Sequence, residues 1–275
     1  MKRFKLYLMF SIALLGIFSC TQKIDTTEKL FQEIANKYNG KWFKQVKFMQ
    51  TTNFYRSDTV YKSERWVEEY VFPGQLIIKV NGDFEQDDGF LYRNDSVYIY
   101  ENNEITDSHK ITHDLLILSM DIYNMSANDA LERFSELDYD ISKYEARTCN
   151  GRKVYVVGAE NGDTISNQVW YDAEYLYLIK MIKNTSEGYH EVFLNDYINI
   201  NGSAWIEQEV VFKLNGEKYM VEKYFDIRIP DEKRTEINVN DFNIRFFNPL
   251  ELLPDLIYAE TIMFFLKFLN LSKSG

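Results

Sequence analysis

Half of the chain's 12 glycines sit in Asn-Gly dipeptides, at 39–40, 81–82, 150–151, 161–162, 201–202 and 215–216. Asn-Gly supplies the positive φ angles that a tight β-hairpin needs. Between these dipeptides the residues alternate large and polar at a period of two, the signature of half-buried strands. Segments near 41–55, 58–72, 75–81, 84–92 and 95–101 read as consecutive strands. The same pattern resumes near 141–148, 152–158, 165–171, 175–183, 188–199, 203–214 and 217–229. Pro73-Gly74, between Trp66–Phe72 and Leu76–Ile78, is a further hairpin signal. Hairpin connections dictate an antiparallel meander, and a sheet of 11–12 strands tends to curl or close. Aromatic residues, 16% of the chain, suit such a pleated surface.

Helical periodicity interrupts this pattern in two regions. Asp25 and Glu28 fit a capping box, after which Leu30, Phe31, Ile34, Ala35 and Tyr38 share one face, and Asn39-Gly40 closes the helix. Midway along the chain, 112–122 and 127–137 read as two helices, the second capped at Ser126. The expected fold is therefore mainly β: a large curled antiparallel sheet, or half-barrel, with an N-terminal helix and an inserted helical pair covering its open face.

The first residues, Met1–Lys5, are a basic n-region, and the uncharged stretch Leu6–Phe18 is too short for a comfortable membrane span. Leu15-Gly16-Ile17-Phe18-Ser19-Cys20 resembles a bacterial lipobox, which implies cleavage before Cys20 and its acylation. An ordinary signal peptide with a coincidental cysteine is the alternative. Only Cys20 and Cys149 exist, so acylation of Cys20 leaves Cys149 without an intramolecular partner; a Cys20–Cys149 bridge would require the leader to be kept or cut earlier. Loss of Lys2, Arg3 and Lys5 takes the formal charge from −11 to −14, a balance that disfavours nucleic acid and charge-driven adhesion to anionic lipid. Attachment to a membrane would then come from the N-terminal acyl chains. The divisions expected are a signal peptide over 1–19, a lipidated tether over 20–27, a β domain over 28–245 ending near Asn238–Phe242, and an apolar helical extension over 246–275. Within that extension Asp255, Glu260 and Lys267 argue against a span, leaving a packed helix, a ragged extension or an interfacial helix.

A lipid-anchored chain with this order of elements resembles the outer-membrane lipoprotein-sorting (LolA/LolB-like) family over roughly residues 28–245. The resemblance rests on Trp66-Val67-Glu68-Glu69-Tyr70-Val71-Phe72-Pro73-Gly74-Gln75-Leu76, on Gln168-Val169-Trp170-Tyr171-Asp172, and on Tyr224-Phe225-Asp226-Ile227 followed by Asn240-Asp241-Phe242. It implies an open half-barrel whose hydrophobic interior holds acyl chains, with no cofactor. The soluble carrier of that family lacks an anchor, so Cys20 makes this chain more like the anchored acceptor. The carrier's functional arginine has no assignable counterpart here.

Motifs of catalysis are missing: there is no Gly-x-Ser-x-Gly, His-Glu-x-x-His, phosphate loop or dinucleotide fingerprint. His109 and His113 stand four apart, yet their only nearby carboxylates are Asp107 and Asp114, and no metal is expected. Glu68 and Glu69 point to opposite faces of a strand and cannot act together; Asp87-Asp88-Gly89 reads as a solvated turn. What remains is apolar surface. Trp66, Tyr70 and Phe72; Leu76 and Ile78; Leu178 and Ile182; Val210, Phe212 and Leu214; and Phe225 and Ile227 (with Ile229) form large one-sided sets. They fit either a filled core or a cavity for an acyl chain. At about 0.8 kcal/mol per buried methylene, a chain of about 15 would gain an upper bound of roughly 12 kcal/mol.

The expected function is non-catalytic: a lipid-anchored envelope protein binding lipid acyl chains or a lipidated protein. An alternative is a structural lipoprotein that docks an envelope complex through its outer surface or C-terminal helix. Thr21 after Cys20, with no acidic run following, favours the periplasmic face of a bacterial outer membrane.

Overall fold

The computed structural model describes residues 23–80 and 88–243. Cys20, the leader and the extension from 246 onward lie outside the described residues.

Helix α1, Thr27–Tyr38, opens the described chain. Its N-cap is Thr26, whose hydroxyl accepts from the Lys29 backbone N–H, while Asp25 pairs with the Lys29 side chain at 2.7 Å. The cap thus falls one residue later than the capping-box spacing suggests. Leu30, Phe31, Ile34 and Tyr38 are buried, the stripe expected of an amphipathic helix.

Six strands follow as a pure meander: β1 Gln45–Arg56, β2 Thr59–Val71, β3 Gln75–Val80, β4 Asp88–Tyr92, β5 Ser96–Glu101 and β6 Glu104–Lys110. The chain then makes helix α2, Asp114–Ser119, a 3-10 turn at Asp121–Asn124, and helix α3, Ala127–Ser135. The second half comprises β7 Tyr144–Cys149, β8 Arg152–Val157, β9 Gln168–Asp172, β10 Leu178–Thr185 and β11 Gly188–Asn195. A separate two-stranded hairpin, β12 Ile198–Ile200 and β13 Ala204–Ile206, precedes β14 Glu209–Leu214 and β15 Glu217–Arg228.

Thirteen of these strands form one antiparallel sheet in the order β6-β5-β4-β3-β2-β1-β15-β14-β11-β10-β9-β8-β7. The two halves join where β1 pairs with β15, and the sheet does not close, since β6 and β7 are its two edges. The helical segment is the link between those edges, so the topology itself carries it across one face. This is the mainly β half-barrel with helical cover that the alternation predicts.

Turns follow the residue chemistry. Asn150-Gly151 has φ of 50° and 79°, and Asn215-Gly216 has 52° and 83°, the geometry of the tight hairpin turn. Ser57-Asp58, Asn94-Asp95 and Asn102-Asn103 adopt the same conformation without glycine. Gly89 belongs to β4 and is buried: a Cβ there would fall 2.0 Å from the Ile78 carbonyl oxygen.

Strand β6 has no counterpart in the sequence reading because all seven of its residues are exposed, which leaves no apolar face to alternate. The segments read as 188–199 and 203–214 are each broken in two, at 196–197 and 207–208. There the chain leaves the main sheet to form the β12–β13 hairpin and then returns.

Both faces of the sheet are buried over much of its area. On the helix-covered face, α1 and the 3-10 turn pack Phe31, Tyr38, Trp42, Tyr123, Phe134 and Tyr171 into one cluster, with Trp42 stacked on Tyr123 at 4.0 Å. On the opposite face, Val71, Ile77, Leu91 and Tyr100 are covered by the segment 230–243. That strap is held by the Arg234–Glu69 ion pair, by Gln75 accepting from the Ile237 N–H at 2.7 Å, and by Phe242 stacked on Tyr100 at 3.9 Å.

Candidate functional site

The helical link is pinned to the sheet by polar contacts. Tyr70 and the Gly74 N–H both donate to Asp121, at 2.7 and 3.0 Å, and Asn124 donates to the Phe43 carbonyl at 2.9 Å. The hydroxyl of Tyr123 accepts from the Leu178 N–H at 2.8 Å, and Lys183 pairs with Asp114 at 3.1 Å. The 3-10 turn is therefore tied to the β2–β3 hairpin, and both it and the start of α2 to β10, in the other half of the sheet.

Beneath α1 and the turn the interior is filled. Beneath α2 it is not. A cleft of about 330 Å³ opens between α2 and strands β1–β4, β14 and β15. Its floor is made of buried Phe48, Tyr70, Leu76, Ile78, Leu116 and Met120. Half-buried Trp66, Phe90, Phe212, Met220 and Leu115 form its mouth. This volume lies at the lower end of the range of small-molecule pockets, roughly 300–1,000 Å³. A larger groove of about 1060 Å³ runs between α1 and β7–β8. Lys23, Glu33, Lys37 and Arg147 line that groove beside Val154 and Leu176, so its wall is mixed and charged where that of the cleft is mainly apolar.

Three carboxyl groups, Glu68 of β2, Glu222 of β15 and Glu207 ahead of β14, are set into the cleft wall. All are buried, Glu68 to 4% exposure. Burial holds Glu68 well above the ordinary carboxyl range, and the neighbouring Glu222 and Glu207 raise it further. Burial also raises Glu222 against the opposing hydrogen bonds from Tyr224 and Gln50. Glu207 is pushed up to about 7 by burial. No lysine or arginine lines the cleft among the described residues. His113 caps α2 by accepting from the Leu116 N–H at 3.1 Å, and burial pushes it down to about 4, so it is neutral at neutral pH.

Of the twelve interior positions expected from the sequence, Trp66, Tyr70, Leu76, Ile78 and Phe212 line this cleft. Phe72, Leu178, Val210 and Ile227 pack into the same apolar cluster outside it. Leu214 is half-buried at the end of β14, opposite His190 and Glu217. The structure does not bring Phe225 and Ile182 to the cleft. Phe225 packs with Met49 and Val67 in a separate cluster. Ile182 shares its side of β10 with Lys180, past a register shift at 178–180.

Both exclusions have one cause, a bulge that reverses alternation. Asp226 has φ of 51°, and the β1–β15 register shifts there, pairing Lys47 with Arg228 but Met49 with Phe225. Sequence reasoning missed the carboxylates, although a signal exists: Glu68 lies between Trp66 and Tyr70 in the inward set. Glu69, on the other face, pairs with Arg234 and Lys47. No group of His, Cys, Asp and Glu able to hold a metal occurs among the described residues, and no helix among them is long and apolar enough to cross a membrane. Cys149 is a free, half-buried cysteine.

The site is thus a half-open apolar cleft with buried acids in its wall, set in an unclosed antiparallel half-barrel. No family model and no curated protein matches the chain. Among solved structures it is similar to a LolA superfamily protein from Nitrosomonas europaea, at 13% identity and TM-score 0.48, covering 76% of this chain and 96% of that one. A DUF1329 family protein from Desulfovibrio piger gives 12% identity and TM-score 0.49, with 79% and 96% covered. A domain from Vibrio parahaemolyticus named for outer membrane lipoprotein sorting gives 13% and 0.39, with 78% and 95% covered. Likeness this distant transfers no ligand and no residue role.

Proposed function

We propose that this chain is a non-catalytic binding protein of the cell envelope, anchored through a lipid on Cys20, that holds an acyl chain of a lipid or lipidated protein in the cleft under α2. One observation carries the reading: an interior packed tightly with aromatic side chains under α1 leaves an apolar cleft open under α2. Protein interiors ordinarily leave few voids larger than a water molecule. Trp66, Phe90, Phe212 and Met220 at the mouth offer an apolar path inward. Each methylene that enters would gain about 0.8 kcal/mol, which needs no polar chemistry from the protein. The residues after Cys20 favour the periplasmic face of the outer membrane.

Photo-crosslinking of the full chain with a diazirine-tagged hexadecanol, which brings an acyl-length chain without a charge, tests the reading. Label should concentrate on peptides containing Trp66–Ile78, Leu115–Met120 and Phe212–Tyr224, and unlabelled hexadecanol should displace it. Label spread evenly over the surface, or none displaced, would overturn it.

A further inference from the structure

The cleft wall carries more acid than an apolar chain requires. A site that only accepted methylenes would do better with Leu or Phe at 68, 207 and 222, because burying a carboxyl without a partner is unfavourable. Glu222 accepts from Tyr224 at 3.1 Å, and at Glu207 a backbone N–H and the nearby Tyr197 hydroxyl oppose the effect of burial. Glu68 differs. It is 96% buried, receives no hydrogen bond from a described residue, and faces the cleft beside the other two carboxyls.

The other titratable groups on the wall, Tyr70, Tyr92, Tyr224 and His113, bring no positive charge. Burial holds the three tyrosines above their ordinary range and keeps the imidazole neutral. The cleft therefore has three acceptors, an apolar surround and no cation of its own.

We infer that the ligand's polar end is a protonated amine, seated against Glu68, Glu222 and Glu207 while its apolar arm fills the cleft. This rests on the acyl-binding reading above and adds the headgroup. An ammonium carries three donors and no acceptor, matching a wall of acids in which Glu68 receives no hydrogen bond of its own. Its arrival makes the charged form of the carboxyls favourable, because an opposite charge within a few ångströms offsets the desolvation that keeps them protonated. The resulting N–H to carboxylate bonds are of the strong, charge-assisted kind. A fatty acid would instead bury its own carboxylate beside these acids with no cation to offset the loss of water. The amine could belong to a lipid headgroup or to the free α-amino group of an acylated protein terminus.

Calorimetric titration of the full chain at pH 7 with dodecylamine, dodecanol and dodecanoate tests this, since the three share one chain length. Dodecylamine should bind at least about tenfold more tightly than dodecanol, and dodecanoate should bind weakest. Glu68→Gln with Glu222→Gln should abolish that preference, so that dodecylamine binds no more tightly than dodecanol. Equal binding of amine and alcohol, or a preference that survives both substitutions, would overturn the inference and leave acyl binding standing. No binding of any probe would overturn both. Two competitor pairs then locate the source: a dipalmitoyl-cysteinyl peptide against its N-acetylated form, and phosphatidylethanolamine against phosphatidylglycerol. Displacement of dodecylamine by only the amine-bearing member of either pair supports the inference and names the source; equal displacement by both members contradicts it.

Discussion

At the residue scale the buried acids link the cleft to pH. A carboxyl whose folded value lies above its unfolded one binds protons more tightly when folded. Stability then falls as pH rises between the two values. For Glu207 the window runs from about 4.5 to about 7, and Glu68 and Glu222 act with the same sign. His113 acts oppositely: neutral and buried, it withdraws stability as pH falls from 6.5 toward about 4. The opposing contributions offset one another below pH 6.5 and leave the acids visible above it. Thermal melts should therefore show a lower Tm at pH 8 than at pH 6.5. Glu207→Gln should raise Tm at pH 8 by roughly 2–6 °C and change it little at pH 5. A pH-independent effect of the substitution would contradict this account of Glu207.

Individual residues also mark where the sequence stopped being legible. Trp66, Tyr70, Leu76 and Ile78 follow unbroken alternation, and the structure puts all four on the cleft. Phe225 and Ile182 obey the same arithmetic locally, yet positive-φ Asp226 and the register shift near Ile179 reverse the faces. A bulge adds a single residue to one strand and leaves hardly any compositional trace. The acid cluster was hidden for another reason. Glu68 meets Glu207 and Glu222 only because β1 and β15 join the two halves of the sheet, and no local pattern encodes that pairing.

At the element scale, the strap 230–243 covers the face opposite the helices, and its anchor is Arg234. Glu69 is 1% exposed and accepts from the Arg234 guanidinium, with Nε to Oε1 at 3.0 Å, and from Gln45 at 2.6 Å. Removing one partner of a buried ion pair leaves an uncompensated charge. Arg234→Met should cost about 2–4 kcal/mol in urea unfolding, moderated by Lys47 at 3.7 Å from Glu69. Amide exchange at 234–243 should rise with it. Unchanged exchange there would mean that the Gln75–Ile237 hydrogen bond and the Phe242–Tyr100 stack hold the strap without Arg234. The helices were legible from their 3.6-residue stripes and caps. The strap was not, since Ile237 and Phe242 are too sparse to show a period.

For the whole molecule, one consequence of topology organises the rest. A meander whose first and last strands pair at its centre leaves its two edges far apart in sheet order, and the chain must return from β6 to β7 across one face. That return is the helical link. Where it is thick with aromatics the interior fills, and where only the short α2 passes over, the cleft remains. The sequence carried the punctuation and the faces of such a sheet, but whether its interior is filled depends on how side chains from distant strands meet.

Native mass spectrometry tests the central claim most directly. Residues 21–275 would be exported behind a signal peptide that is cleaved without lipidation, so that the protein carries no anchor and is purified free of detergent. We predict a bound species of lipid or lipopeptide mass that disappears in Phe212→Asp, a change at the half-buried mouth that should leave the circular dichroism intact. A clean apo mass, with no uptake of added lipid by a folded protein, would contradict the account.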